Sequence, residues 1–182
     1  MHLHANAVRV WDPLVRLFHW SLAGSFAMAW LVPGRSENLH FWAGYAAGGL
    51  VAFRLIWGIV GTRYARFSQF LKMPSAVVAY IVAILRGTEA RFIGHNPAGG
   101  AMIVALMGGM VTTALSGWLM TTDAYFGDDG MQMLHTYAAH TVLVLVLLHL
   151  AGVALASFRH RENLVAAMIS GRKRGAGSED IA

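Results

Sequence analysis

The sequence predicts an all-α integral membrane protein, a four-transmembrane-helix bundle with an additional short interfacial helix. Two features of the composition support this class: 57% of the 182 residues are hydrophobic and only 13% are charged. Soluble domains usually carry about 25% charged residues, so the deficit indicates a chain surrounded by lipid. The third observation is four apolar stretches that approach or exceed the roughly 20 residues needed to cross a bilayer.

The predicted spans cover about 15–32, 39–60, 97–120 and 134–158. The apolar run 74–86 is too short to span the membrane, and its flanking Lys72 and Arg86 favour a helix in the membrane interface. Asn96 followed by Pro97 is a helix-start signal for the third span. We therefore predict a membrane domain over 1–170 and a disordered cytoplasmic tail over 171–182.

Basic residues fall almost entirely on one side of the predicted membrane. Of the 14 Lys and Arg residues, only Arg35 lies in a loop on the opposite side. Because basic flanks stay in the cytoplasm, both termini are predicted to be cytoplasmic. The first span is long for the apolar core of a signal peptide and contains His19, which favours a retained helix. The opposite loops also contain four carboxylates: Glu37, Asp123, Asp128 and Asp129.

The composition also excludes several kinds of site. The chain has no cysteine, which removes disulfides, iron–sulfur clusters, thiolate zinc sites and covalently attached haem. A metal or haem must therefore use histidine, methionine or carboxylate ligands. The net charge of +5 is not gathered into a basic stripe with interleaved aromatic residues, so the sequence does not predict a nucleic-acid-binding protein.

Histidines inside predicted spans are the main candidate functional residues, because intramembrane ionisable groups are costly. On the fourth span, His135 and His149 are 14 residues apart, which places them within ~40° of one helical face and ~21 Å apart in depth. His140 points ~140° away from His135. The up-and-down path of the chain then places His19 level with His149 near the cytoplasm, and His40 level with His135 near the outer face.

Two depth-matched histidine pairs are typical of bis-His haem ligation, in which electron transfer is the natural task. A single histidine in a span is more often a helix–helix hydrogen bond, so the prediction depends on the set of four. A carboxylate-bridged di-metal site or a proton pump would need acidic residues inside the spans, and none is present. The remaining histidines fall in tails or loops and are interpreted as solvent or headgroup residues: His2, His4, His95 and His160.

Gly44 and Gly48 follow His40 at helical spacing, so one face of the second span carries a ligand and two residues without side chains. This stripe indicates either clearance for a flat macrocycle or close helix packing. Arg54 lies 14 residues after His40, within ~40° of the same face, at the depth of the inner histidine pair. It could pair with a haem propionate or a quinone oxygen, or extend to the cytoplasmic interface.

Several motifs, in the same order and spacing, resemble the bacterial cytochrome b561 family, and more narrowly its branch related to the cytochrome b subunit of nickel–iron hydrogenases. The resemblance covers nearly the whole chain, to about Gly171. It implies two non-covalent haem b groups in a protein of the bacterial inner membrane, with ligands matching His19, His40, His135 and His149. The motifs are RVWD (9–12), RLFHW (16–20), LHFWAGY (39–45), FRLIWG (53–58), GHNP (94–97), LHLAG (148–152) and HRENL (160–164).

The sequence therefore predicts a di-haem b-type cytochrome of respiratory electron transport, moving electrons between the quinone pool and a periplasmic redox partner. The quinone is expected near Arg54 and Arg16. The acidic outer loops favour a basic partner such as a c-type cytochrome, and a homodimer is compatible with the sequence. One alternative is a superoxide:quinone oxidoreductase, although those loops would repel an anionic substrate. A second alternative is the membrane-anchor subunit of a hydrogenase or dehydrogenase complex. Whether the chain is itself a quinone oxidoreductase or a subunit of one is left open.

Overall fold

The computed structural model of the chain describes residues 7–32, 37–177 and 180–181. These residues are mostly helical. The α-helices within the described ranges are α1 (Pro13–Leu31), α2 (Glu37–Val60), α3 (Phe67–Phe70), α4 (Pro74–Arg86), α5 (Pro97–Leu119), α6 (Asp129–Arg159) and α7 (Leu164–Ser170). A short 3₁₀ helix covers Arg63–Ala65. Strands β1 (Val8–Arg9) and β2 (Arg172–Lys173) pair antiparallel, with Val8 opposite Lys173 and Arg9 opposite Arg172.

Three of the described helices are long and apolar enough to cross a membrane: Asn38–Val60 within α2, all of α5 and all of α6. These correspond to the second, third and fourth predicted spans. α1 has 19 residues, which is about 28 Å of helix and close to a ~30 Å hydrocarbon core. It contains Arg16 and His19, which lower its hydropathy, and its crossing of the membrane stays a prediction.

The ends of several helices follow from local sequence. The Asp12 carboxylate accepts a hydrogen bond from the Val15 N–H at 2.9 Å and caps the start of α1. Asn96 caps α5 in the same way, since its side-chain oxygen accepts from the Gly99 N–H at 2.6 Å. The prediction of a helix start at Asn96 and Pro97 is confirmed. α4 spans Pro74–Arg86, the short apolar run expected to be helical.

The chain divides into two compact units. The first unit contains the described residues of Met1–Arg16, Trp57–Ile103 and Leu148–Ala182, and the second contains those of Leu17–Ile56 and Val104–Leu147. Each of the four long helices contributes one part to each unit. His40 and His135, the pair predicted to lie near the outer face, both belong to the second unit, whereas the two short strands belong to the first.

The described part of the C-terminal tail differs from the disorder expected over 171–182. Arg172–Lys173 form β2, the Ile181 N–H donates to the Arg91 carbonyl at 2.9 Å, and the Asp180 carboxylate forms an ion pair with Arg91. Composition alone indicated disorder because the segment is short, charged and rich in glycine. The order arises from ion pairs with a buried residue about 90 positions earlier in the chain.

Candidate metal centre

His40 on α2 and His135 on α6 come together within the second unit. Their ring centroids lie 6.1 Å apart with the ring planes at 74°, and both side chains are half-buried. An imidazole nitrogen binds a transition metal at about 2 Å, and it lies roughly 1 Å from its own ring centre. Two imidazoles on opposite sides of one metal would therefore have centroids about 6 Å apart. The observed separation fits a metal held between the two rings.

Both rings are fixed in the tautomer that a metal ligand needs. Nδ1 of His40 lies 3.0 Å from the Ala29 carbonyl oxygen on α1, and Nδ1 of His135 lies 2.9 Å from the Thr113 carbonyl oxygen on α5. Because a carbonyl only accepts, each Nδ1 must carry the proton and donate it. The lone pair of each histidine is then on Nε2, and a second hydrogen bond of this kind is common among metal-binding histidines.

Two further residues of α5 shape the surroundings of His135, and sequence reasoning missed both. The Ser116 hydroxyl oxygen is buried and lies 3.2 Å from Nδ1 of His135, while the same hydroxyl donates to the Thr112 carbonyl at 2.7 Å. A Cβ added at Gly117 would lie 3.0 Å from Cε1 of His135, a tight contact that would push this ring by a few tenths of an ångström. The sequence offers only a weak signal for them, because Thr112 and Thr113 are polar residues of the same span.

The two glycines on the His40 face of α2 differ in their surroundings. A Cβ added at Gly44 would meet no atom within 4 Å, so the space beside it is open. A Cβ at Gly48 would lie 3.5 Å from the Cβ of Ala114, an ordinary packing contact with α5. Gly44 therefore fits the expected clearance for a macrocycle, whereas Gly48 fits the alternative of close helix packing.

His140, which the helical geometry separated from the other histidines, occupies a different environment. Its side chain is exposed, its Nδ1 lies 2.7 Å from the Thr136 carbonyl of the same helix, and its ring packs edge-on against Trp30 with centroids 5.2 Å apart. In the contacts of the described residues His140 is not paired with another histidine. It is a weaker candidate ligand than His135.

His19 and His149, the pair predicted to lie near the cytoplasm, fall in separate units. The His19 ring belongs to the second unit and packs edge-on against Trp20 at 5.1 Å, whereas the half-buried His149 belongs to the first unit. Their joint ligation of one haem stays a prediction from the sequence.

Arg54 is only 3% exposed and belongs to the second unit. That burial disfavours the alternative in which its guanidinium extends to the solvent.

Arg16, the other arginine expected near a quinone, contacts the end of α7. Its guanidinium donates to the Ser170 carbonyl at 3.3 Å. The neighbouring Asp12 carboxylate also accepts from Thr62 and from the Trp57 indole N–H at 3.4 Å. Burial raises the pKa of Asp12, but the hydrogen bonds from Thr62, Val15 and Trp57 outweigh it and lower the pKa below its usual value.

A buried ion-pair network within the first unit was not foreseen from the sequence. Arg91, only 5% exposed, binds Glu162 at 2.8 Å, pairs with Asp180, and donates to the Arg174 carbonyl at 2.8 Å. Lys173 lies 3.5 Å from the Glu162 carboxylate and donates to the Phe92 carbonyl at 3.0 Å. This network attaches the C-terminal segment to the loop before α5.

A pair of histidines such as His40 and His135 suits a haem. No group of three or more His, Asp or Glu side chains placed to bind a metal is found among the described residues. A haem needs only two protein ligands because its macrocycle supplies the other donors. His40 and His135, with open space beside Gly44 on the same helix, meet that requirement.

Comparison with known proteins agrees with this architecture. The model of the prokaryotic cytochrome b561 family matches residues 10–171. A protein of Rhizobium leguminosarum bv. viciae, described as a probable Ni/Fe-hydrogenase B-type cytochrome subunit, is 22% identical over 224 aligned positions, which cover 98% of this chain and 93% of that protein. No solved structure matches the chain at a significant level. Because the family model matches most of its length, the chain belongs to the prokaryotic cytochrome b561 family.

Proposed function

We propose that this chain is a di-haem b-type cytochrome that transfers electrons across the inner membrane between the quinone pool and a periplasmic redox partner. The observation that carries the proposal is the His40–His135 pair, with ring centroids 6.1 Å apart and both Nδ1 atoms bonded to main-chain carbonyls. A bis-His haem supplies one-electron transfer without an open coordination position for a substrate. The residues therefore favour a conduit over a haem that binds its substrate directly.

The protein's part is to fix the ligands. Hydrogen bonds from Nδ1 orient each imidazole and raise its basicity toward a metal. The acceptors are carbonyls of Ala29 and Thr113, on α1 and α5, which carry neither His40 nor His135. Helix backbones move little, so the two rings keep their positions when the charge at the centre changes. Ligands held in this way would need little rearrangement if a haem between them changed its charge.

The inner haem is assigned to His19 and His149, and the quinone to the region of Arg54. A buried guanidinium offers a charge-assisted hydrogen bond to a quinone oxygen or a haem propionate. Arg54 is 3% exposed, so water competes little for its donors. The sequence also names Arg16 as a residue expected near the quinone, and its guanidinium donates to the Ser170 carbonyl. Both termini are assigned to the cytoplasm from the distribution of basic residues.

The kind of redox partner is proposed from the charge of the exposed surface between α5 and α6. Three exposed carboxylates lie between the end of α5 and the start of α6: Asp123 and Asp128 in the loop, and Asp129 as the first residue of α6. Such a surface would attract a basic protein, and a basic c-type cytochrome fits that description. The same surface would slow the approach of superoxide, which ranks a superoxide:quinone oxidoreductase second.

A membrane-anchor subunit of a hydrogenase- or dehydrogenase-type complex is the other candidate function. The relative from Rhizobium leguminosarum bv. viciae is described as a probable subunit of this kind, and it aligns over nearly the whole of both chains. In that case the periplasmic partner would be a stable subunit. It would copurify with the chain, whereas a soluble cytochrome would dissociate.

Reconstituted liposomes test the proposal. The purified holoprotein is reduced with a quinol, and a basic c-type cytochrome is then added outside. We expect the haems to be reoxidised at a rate that falls as ionic strength rises, because surface charges steer the encounter. Replacing Asp123, Asp128 and Asp129 together with Asn should slow this step and remove the salt dependence. Failure of the cytochrome to oxidise the haems, with superoxide reducing them near the diffusion limit, would establish the superoxide alternative.

A further inference from the structure

An open groove of about 580 Å³ lies where α6 ends, entirely within the first unit. Leu150, Val153 and Phe158 form its apolar wall along the last turns of α6, and Arg161 and Asn163 lie in the turn that follows. Phe158 is 84% exposed at the end of a membrane-spanning helix. The groove therefore joins an apolar wall to a cationic end.

Arg161 has an unusual backbone conformation. Its φ is 49°, and it is the one non-glycine residue with positive φ in the described ranges. The Glu162 N–H donates to the Ser157 carbonyl at 3.1 Å, the pattern of a Schellman C-cap in which the left-handed residue is usually glycine. The left-handed residues after α4 and α7 are Gly87 and Gly171. An arginine in this position is strained, and strain of this kind often accompanies a functional side chain.

Among the charged groups around the groove, Arg161 is the cation that no carboxylate of the described residues neutralises. Glu162 is already bound by Arg91 and Lys173, and Arg159 pairs with Glu89 at 2.7 Å. In the part of the chain that the structure describes, no carboxylate or carbonyl accepts from the Arg161 guanidinium. The end of the groove is thus positive and suits an anion.

The surroundings of α6 indicate which kind of molecule would cover the apolar wall of the groove. α6 is a candidate membrane span, and only 6% of its most apolar window is buried inside the protein. Lipid chains therefore surround the wall that carries Leu150 and Phe158, and basic residues at the ends of spans bind anionic lipid headgroups. A quinone offers no anion to Arg161, and free phosphate would leave the apolar wall uncovered.

We propose that this groove binds an anionic phospholipid, with Arg161 on the phosphate and the wall of Leu150, Val153 and Phe158 against an acyl chain. The guanidinium can donate two parallel hydrogen bonds to phosphate oxygens. This site requires only that α6 spans the membrane, so it does not depend on the redox partner. Under the orientation proposed above, the lipid belongs to the cytoplasmic leaflet.

Native mass spectrometry of the delipidated holoprotein tests the proposal, with dioleoyl phosphatidylglycerol as the probe and phosphatidylcholine of the same chains as the reference. We expect one tightly bound phosphatidylglycerol per chain and a preference of about tenfold, because the choline cation neutralises the phosphate of phosphatidylcholine whereas phosphatidylglycerol presents a net negative charge to Arg161. Arg161→Gln should lose the preference, and Arg161→Lys should keep most of it. Arg66→Gln is the matched control, because Arg66 is exposed in the same unit outside the groove.

Arg161→Gly separates a lipid role from a structural one. Glycine favours the left-handed conformation, so this variant should fold at least as well as the wild type without lipid. Phosphatidylglycerol should raise the melting temperature of the wild type and Arg66→Gln but not of Arg161→Gly. The proposal is overturned if Arg161→Gly responds like the wild type. It is also overturned if the wild type shows no preference, or if millimolar inorganic phosphate displaces the lipid.

Discussion

The His40 and His135 rings lie 6.1 Å apart at their centroids, and each donates its Nδ1–H to a main-chain carbonyl of another helix. Four helices thus meet at one site: α2 and α6 supply the rings, while α1 and α5 supply the carbonyls of Ala29 and Thr113. The position of each ring depends on the packing of a neighbouring helix. The predictions that follow test this dependence.

Ser116→Ala should change the potential of the outer haem without removing it. The hydroxyl lies 3.2 Å from Nδ1 of His135, and its loss would leave the Thr113 carbonyl as the acceptor. A weaker hydrogen bond lowers the basicity of the ligand and disfavours the oxidised iron. A neutral hydrogen bond contributes about 0.5–1 kcal/mol, so the potential should rise by about 20–40 mV.

Redox titration of the visible spectrum measures that shift. Thr112→Ala is the matched control, because the Thr112 hydroxyl is exposed and donates to Gly108 of its own helix. An equal shift in both variants would show that the effect belongs to α5 in general and not to the contact with His135.

Gly117→Ala should weaken binding of the outer haem. The added methyl would lie 3.0 Å from Cε1 of His135 and 3.2 Å from its Nδ1, so the ring must move. Overpacking of this kind costs about 1–3 kcal/mol. Gly108→Ala, on the same helix with open space around its Cβ position, should retain haem like the wild type. The haem content of the two variants tests this prediction. Equal haem content would refute the close approach of position 117 to the His135 ring.

These residues also mark the limit of what the sequence could predict. The spacing of His135 and His149 placed them on one face, and that required only the period of a helix. Ser116 had no such signal, since hydroxyls in apolar helices commonly bond to their own backbone. Its contact with His135 depends on how α5 packs against α6, which a single sequence does not reveal.

The contacts of the C-terminal segment were equally hard to predict from the sequence. Gly171–Ala182 is short, polar and charged, so its composition indicated disorder. The structure instead pairs Asp180 and Lys173 with Arg91 and Glu162. A single sequence shows the charges but not which of them meet. The helix ends, by contrast, were predictable from local residues such as Asn96, whose cap is confirmed.

Arg54→Gln should slow oxidation of a quinol while both haems remain bound. A hydrogen bond to a charged group contributes about 1.5–3 kcal/mol, so kcat/KM should fall by about tenfold or more. Arg54→Lys keeps the charge and should recover part of the rate. Steady-state quinol oxidation by the purified protein measures the effect. Wild-type kinetics in Arg54→Gln would exclude this arginine from the quinone site.

Stability should depend on pH through Glu162. Burial raises the pKa of its carboxyl, but the hydrogen bonds from Arg91 and the Arg174 N–H, with the charge of Lys173, hold the pKa below its usual 4.5. A carboxyl with a lowered pKa stabilises the fold above about pH 4.5, and this contribution is lost as the pH falls through the lower folded value.

Glu162→Gln should therefore destabilise the protein at neutral pH by about 3 kcal/mol, the lower end for a broken buried ion pair, since Asp180 remains with Arg91. The difference from the wild type should shrink below about pH 4.5, which thermal unfolding across a pH series can follow. A difference that stays constant with pH would mean that the charge of Glu162 contributes little.

A pyridine haemochrome assay on His135→Ala tests most directly whether His40 and His135 hold one of two haems. The wild type should contain two haem b per chain, and His135→Ala should contain one, with normal content in the exposed His140→Ala control. Two haems retained in His135→Ala, or a haem lost in His140→Ala, would contradict the assignment.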